Sequence, residues 1–189
     1  MPPVESVPRA EYPRPQFVRT DWLCLNGEWQ FEIDVGDSGL QRGLLTRPLS
    51  DHILVPFCPE SPLSGVNNPD FMNAVWYRRM VTVPAGWAGK RLLLHFQAVD
   101  YDTTVWVNGQ QVGRHRGGFT SFTFDLGRSA EATLEIVVRA RDPNVGPQPR
   151  GKQTRDFAGS GAHYGRITGI WQTVWIEPVA ERCALRIHG

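Results

Sequence analysis

Several side chains in this 189-residue sequence are of types that do chemistry on a ligand. Asp100, Asp102, Asp142 and Asp156 are candidates for a general acid paired with a base or nucleophile. Turn aspartates also bond nearby backbone amides, which is the plainer reading of all four. Arg150, Lys152, Arg155 and Arg166 form a basic run that could clamp a carboxylate bidentately; the plainer reading is a solvated loop. Trp76, Trp106, Trp171 and Trp175 offer flat faces suited to the apolar C–H face of a sugar ring, each burying about 150 Å² or more. Packing in a core or at a domain contact is their commoner use, and Trp171 and Trp175 are the best exceptions. Cys24, Cys58 and Cys183 are odd in number, far apart and in no metal-type spacing, and read as reduced structural thiols.

The elements that must position these groups read as β throughout. From Trp22 onward short apolar runs are punctuated by Gly, Pro, Asn and Asp, and no window holds helical periodicity over three turns. The clearest unit runs from Thr103 to Gly113, where Asn108-Gly109 joins two alternating runs. That dipeptide takes the positive φ that a type I′ hairpin turn demands at both central positions. Further strands are predicted at 28–33, 74–83, 91–98, 121–125, 132–139, 171–176 and 183–188. In the run at 171–176, alternation sets Trp171, Thr173 and Trp175 against Gln172, Val174 and Ile176, so both faces are expected to be covered. Many short strands separated by turn signals imply a sandwich or barrel. Between Asp142 and Gly169 the periodicity stops, and a structureless stretch of that length inside a domain is usually functional or disordered. Five prolines from Pro2 to Pro15 keep the first segment extended.

Bulk composition narrows the partners. Hydrophobic residues at 41% and charged residues at 21% fit an ordinary globular domain with a packed core. A formal net charge of +1 supplies no overall field for a polyanion, which argues against nucleic acid and acidic membranes as partners. The proline-rich start lacks the apolar core of a secretory signal, so the expected location is cytoplasmic.

Five segments, in this order, resemble the N-terminal sugar-binding domain of glycoside hydrolase family 2. They are Leu25-Asn26-Gly27-Glu28-Trp29-Gln30-Phe31, Val75-Trp76-Tyr77-Arg78-Arg79, Val105-Trp106-Val107-Asn108-Gly109, Gly117-Gly118-Phe119-Thr120-Ser121-Phe122 and Thr168-Gly169-Ile170-Trp171-Gln172-Thr173-Val174-Trp175. The resemblance implies an all-β jelly-roll β-sandwich of the galactose-binding-domain-like type. In complete members an immunoglobulin-like domain and a catalytic (β/α)8 barrel follow. Residues 1–21 are then an extended arm, 22–180 the sandwich, and 181–189 resemble the start of the truncated second domain.

In that family both catalytic glutamates sit on the barrel, and the acid follows an asparagine. No Asn-Glu pair occurs here, so no catalytic residue is expected in this chain. The resemblance implies a substrate-side role for Asp142, which ends the strand 134–141 and is expected to be an exposed loop carboxylate; its alternative is a loop cap. In similar β-galactosidases an aspartate at this point reaches the barrel's active site beside a sodium ion, so no cofactor is expected for the chain itself and sodium only in the full-length protein. Similar β-glucuronidases carry a substrate-contacting aspartate six residues before the Gly-Ile pair, where this sequence has His163; that departure weakens a β-glucuronidase specificity, and an exposed loop histidine is its plainer reading. Asn73 stands near the place of a sugar-contacting asparagine, and Arg150 and Trp171 complete the candidate set. The implied partners are carbohydrate, the barrel and the immunoglobulin-like domain, with a homo-oligomer also open. The alternatives are a free-standing carbohydrate-binding module and a structural or oligomerisation domain.

Overall fold

The computed structural model describes residues 7–11, 17–128, 131–157 and 161–184. Alternating apolar residues there form two antiparallel sheets. The larger has six strands: β2 (Gly27–Ile33), β3 (Asp51–Val55), β4 (Ala74–Thr82), β7 (Asp102–Val107), β8 (Gln110–Arg116) and β10 (Thr133–Arg141), in the order β3-β2-β4-β10-β7-β8. The smaller has four, β1 (Leu23–Cys24), β5 (Arg91–Phe96), β9 (Phe122–Arg128) and β12 (Val174–Val179), in the order β1-β12-β5-β9. A short pair, β6 (Val99–Asp100) with β11 (Gly169–Ile170), closes one end.

Period-two patterning builds the core. Trp29 and Phe31 of β2, Val75 and Tyr77 of β4, and Ile136 and Val138 of β10 point inward. They meet Leu92, Leu94 and Phe96 of β5 and Val174 and Ile176 of β12, all nearly inaccessible. At about 1.5–3 kcal/mol per fully buried large side chain, this layer is the main source of stability.

The outer face of the six-stranded sheet is covered too. Residues 34–50 fold across it, so that Leu44 and Leu49 close over Trp76, Trp106 and Val137. The two indoles stack with centroids 5.6 Å apart. A buried carboxylate pins this cover: Asp34 accepts from the Ser38 and Gly39 amides at 3.0 and 2.7 Å and from the Trp76 indole at 3.1 Å. Trp76 and Trp106 are thus core residues of this second layer. On the smaller sheet Trp175 stacks on His95 at 4.6 Å, and Arg19 reaches Glu177 at 2.6 Å from the N-terminal segment.

The Leu25-Asn26-Gly27 motif acquires a physical reason. The Asn26 side chain donates to the Pro8 and Arg9 carbonyls at 3.0 and 3.2 Å and accepts from the Val174 amide at 3.1 Å, tying the arm to β12.

Two strand expectations need correction. The strand placed at 171–176 is shifted: β12 runs Val174–Val179, and Trp171 precedes it. Pro178 lies where β12 has passed the end of its pairing with β1, so one edge there needs no amide donor. At 183–188, Cys183 and Ala184 are irregular and the remainder lies outside the described residues. Strands β1, β3, β6 and β11 are additions.

The hairpin is observed as predicted. β7 and β8 pair across Asn108 at φ 50° and Gly109 at φ 76°. Asn108 also bonds into β10, its Oδ1 accepting from the Glu135 amide at 2.8 Å. Gly109→Val would force a β-branched residue into left-handed backbone, costing about 1–2 kcal/mol or more. We expect Tm in a thermal melt to fall by roughly 2–8 °C; an unchanged Tm would remove the turn from the list of stability determinants.

Candidate functional site

At one end of the sandwich three carboxylates meet beneath the long loop. Asp142 directly follows β10, and its amide donates to the Asn73 carbonyl at 2.9 Å, so the sheet ladder fixes its backbone. Its Oδ1 accepts from Gln148 and, at 3.4 Å, from Arg150; its Oδ2 accepts from the Thr168 hydroxyl at 3.1 Å. Asp100, at the end of β6, accepts from Gln153 at 2.7 Å. Its other oxygen is buried without a hydrogen-bond partner among the described residues. Gly118 lies so close behind it that a Cβ there would stand 2.5 Å from the carboxyl carbon. Glu60 accepts from the Thr168 amide at 3.2 Å.

The loop is therefore structured. Thr154 and Tyr164 are bonded across it, the Thr154 amide to the Tyr164 carbonyl at 2.9 Å and the Tyr164 amide to the Lys152 carbonyl at 3.0 Å. Gln153 turns its carbonyl oxygen to the Ile167 amide at 2.8 Å while its amide group holds Asp100. Arg166 reaches the Pro69 carbonyl and lays its guanidinium on Phe71, 4.1 Å from the ring centroid.

Burial governs the electrostatics. It raises the pKa of Asp100 to about 7, with the nearby Asp142 charge adding to the rise and Gln153 and Arg150 opposing it. Burial also raises Asp142, against the bonds from Gln148, Thr168 and Arg150, and raises Glu60 in the same way. Desolvation of the half-buried Cys58, with Glu60 beside it, pushes its thiol up to about 12. A small cleft opens here, lined by Phe71, Asp142, Asn144, Arg150, Arg166 and Thr168 among others. Its enclosed space, about 10 Å³, is near the minimum for one water.

Among the described residues no group of three or more His, Cys, Asp or Glu side chains is arranged to hold a metal ion. Asp142, already bonded to three donors, would supply only part of any cation's shell.

The family model for the sugar binding domain of glycosyl hydrolases family 2 matches residues 23–140. The chain belongs to glycoside hydrolase family 2. It is 34% identical over 121 residues to a β-glucuronidase of Paenibacillus borealis, covering 60% of this chain and 20% of that one. It is 30% identical over 111 residues to a β-galactosidase of Thermoanaerobacter pseudethanolicus, covering 57% and 14%. Among solved structures, the β-glucuronidase from Ruminococcus gnavus in complex with D-glucuronic acid superposes with a TM-score of 0.65 at 20% identity, over 85% of this chain and 30% of that one. That likeness speaks for the sandwich fold. The chain spans a fifth or less of the length of these two curated relatives.

Within this family 2 domain the predicted site residues separate. Asp142 and Arg150 come together. Asn73 contributes its backbone carbonyl to Asp142, while its side chain donates to the Val35 carbonyl at 2.7 Å. His163 is exposed on the limb of the loop before Tyr164. Trp171 is half-buried, its indole N–H spent on the Gly118 carbonyl at 2.8 Å and its ring met edge-on by Phe119.

Two expectations are corrected: Asp142 is 7% exposed instead of an open loop carboxylate, and Arg150 is bonded instead of solvated. Glu60, Gln148, Gln153 and Thr168 escaped the sequence reading. Thr168 stood in one of the family segments, and Glu60 between Pro59 and Pro62, but neither signal names its partner.

A carboxyl whose pKa is higher in the folded than in the unfolded chain favours folding at low pH, and that contribution is lost as pH rises through the folded value. For Asp100 the window runs from its ordinary 3.8 to about 7. Hydrogen-exchange protection of the Thr154, Ile167 and Thr168 amides, corrected for intrinsic rates, should therefore fall between about pH 4 and pH 7 and level off above. Asp100→Asn keeps the acceptor for Gln153 and removes the charge, so it should flatten that dependence; an undiminished pH response in the variant would take the effect away from Asp100.

Proposed function

We propose that this domain is a non-catalytic wall of a glycosidase active site, with Asp142 on the substrate side and the reacting carboxylates on another domain. The observation that carries the reading is a buried, strand-anchored carboxylate opening onto a cleft too small to enclose a sugar ring. A binding site for a small molecule ordinarily buries most of its ligand, so a second surface must complete this one. The relatives' names, β-glucuronidase and β-galactosidase, and the small share of their length that this chain covers support the same division of labour.

Retaining hydrolysis needs an acid and a nucleophile about 5–5.5 Å apart on either side of the glycosidic bond. Asp100 is 1% exposed behind Gly118 and has no route to a substrate. Asp142 is tied to Arg150 and Thr168, an arrangement that orients a carboxylate and does not free it for attack.

The chain alone should therefore not hydrolyse nitrophenyl β-galactoside, β-glucuronide or β-mannoside, and calorimetry should give Kd values for simple sugars around 1 mM or weaker. In a full-length protein carrying this domain, Asp142→Asn should lower kcat/KM about tenfold or more, or ~1.4 kcal/mol of transition-state binding. In the chain alone, Asp142→Ala should cost about 1–3 kcal/mol, because Arg150, Gln148 and Thr168 lose their acceptor. Turnover by the chain alone that disappears on mutating one of its carboxylates would sink the proposal, as would full-length kinetics indifferent to Asp142→Asn.

A further inference from the structure

The outer face of the six-stranded sheet carries an opposite charge pattern beside the acidic end. Strands β10, β7 and β8 lie side by side there, and their register sets Arg139 opposite Thr104 and Thr104 opposite Arg114. Two residues along, Arg141 lies opposite Asp102 and Asp102 opposite Arg116. Four guanidinium groups thus frame Thr104 and Asp102 in two parallel rows. Strand spacing puts the β10 and β8 arginines roughly 10 Å apart at their Cα atoms.

Two carboxylates hold this array in place. Asp102 lies 3.2 Å from Arg114, 3.6 Å from Arg116 and 4.0 Å from Arg141. Asp37 lies 2.6 Å from Arg141 and 3.9 Å from Arg139. Four cations against two anions leave two positive charges in excess on one flat face. Like charges this close cost free energy, and burial together with Arg141 and Arg114 holds the Arg139 pKa below its usual range, against Asp37 and Asp102. Yet the outer pair stays available, since the Arg114 and Arg116 side chains are 54% and 68% exposed.

We propose that this face binds an acidic oligosaccharide, whose carboxylate or sulfate groups seat on Arg114 and Arg116 and extend toward Arg141. The planar guanidinium fork matches such oxyanions bidentately, and Asp102 keeps the forks oriented before a ligand arrives. The separation between the β10 and β8 arginines is comparable to the length of a disaccharide, so successive charged sugars can meet successive strands. Single-stranded nucleic acid fits worse, because it needs open aromatic faces for stacking. Trp76 and Trp106 are buried beneath the cover of residues 34–50, and Arg116 lies over Tyr101 at 5.7 Å. The site is separate from the Asp142 cleft and does not depend on the role assigned to it.

The test titrates the whole chain at low salt with a heparin hexasaccharide, an oligogalacturonate of equal length, a neutral galactan oligomer and a short DNA. An acidic oligosaccharide should bind with salt-dependent affinity, the sulfated and carboxylated arms telling which oxyanion is preferred, while the galactan should not. Arg114→Gln with Arg116→Gln should weaken that binding roughly tenfold or more and flatten its salt dependence, while a cooperative melt with a lowered Tm shows the fold retained, Asp102 having lost its two nearest cations. Arg91→Gln with Arg128→Gln, on the other sheet, should leave it unchanged. Equal binding by the Arg114/Arg116 double variant, failure of both acidic oligosaccharides to bind, or DNA binding as tightly as either would overturn the proposal.

Discussion

Two buried carboxylates and a half-buried third under one loop, with Arg150 bonded to one of them, set the terms on which this end of the molecule can fold. Like charges brought together out of water repel, and the nearby Asp142 charge is felt by Asp100. The chain meets that cost in two ways. Asp100 holds its proton to about pH 7. The loop returns donors to the others, with Thr168 serving two at once, its amide on Glu60 and its hydroxyl on Asp142. Gln153 does the equivalent for Asp100 and the Ile167 amide. The order of the loop and the burial of the acids are one interaction seen from two sides, and neither would persist without the other.

The same economy governs the sheet that carries Asp142. β10 is paired to β4 along its whole length and to β7 from Ile136 to Arg141, so its end cannot move independently of the core. Such a central strand must be covered on both faces. The inner cover is the second sheet, and the outer cover is the segment 34–50, held by Asp34 on the Trp76 indole and by Glu32 on Arg47 at 2.8 Å. Buried carboxylates bonded by backbone and arginine donors hold that segment down where apolar contact alone, five buried residues, would be a small satellite core. Asp142 is thus positioned through a sheet that this layer helps to hold in place.

How much of this was legible in the sequence follows the range of each interaction. The Asn108-Gly109 turn was readable because its signal and its geometry lie within two residues. The alternation in β4 and β10 was readable because burial on a sheet repeats every second residue. β12 was misplaced because Pro178 looks like a stop, and only the short reach of β1 makes it acceptable. Asp142 was singled out by its place at a strand end, yet its burial was invisible. Its bonds come from Gln148, Arg150 and Thr168, the last 26 residues away. An irregular stretch rich in glycine and basic residues gives no periodic clue that it folds back on its own root. The arginine array was equally hidden: Arg114 and Arg116 form a local pair, but their meeting with Arg139 and Arg141 is a matter of strand order.

That strand order also explains how opposite charge patterns coexist at one sheet end. Arg141 and Asp142 are neighbours in sequence, yet Arg141 joins Asp37 and Asp102 on the outer face while Asp142 joins Asp100 and Thr168 beneath the loop. Side chains on an extended strand alternate sides, and the bond from the Asp142 amide to the Asn73 carbonyl carries the ladder one residue past the end of β10, so the alternation survives where the two charges need it. Were the chain to turn one residue earlier, Asp142 would be free to swing toward the guanidiniums, a far stronger partnership than the one it has with Arg150 at 3.4 Å. The acidic cluster would then lose the member to which Gln148 and Thr168 are bonded, and the outer face would lose half of its excess charge. The backbone hydrogen bond from the Asp142 amide to the Asn73 carbonyl thus helps to hold the buried carboxylate and the neighbouring guanidinium on opposite sides of the strand.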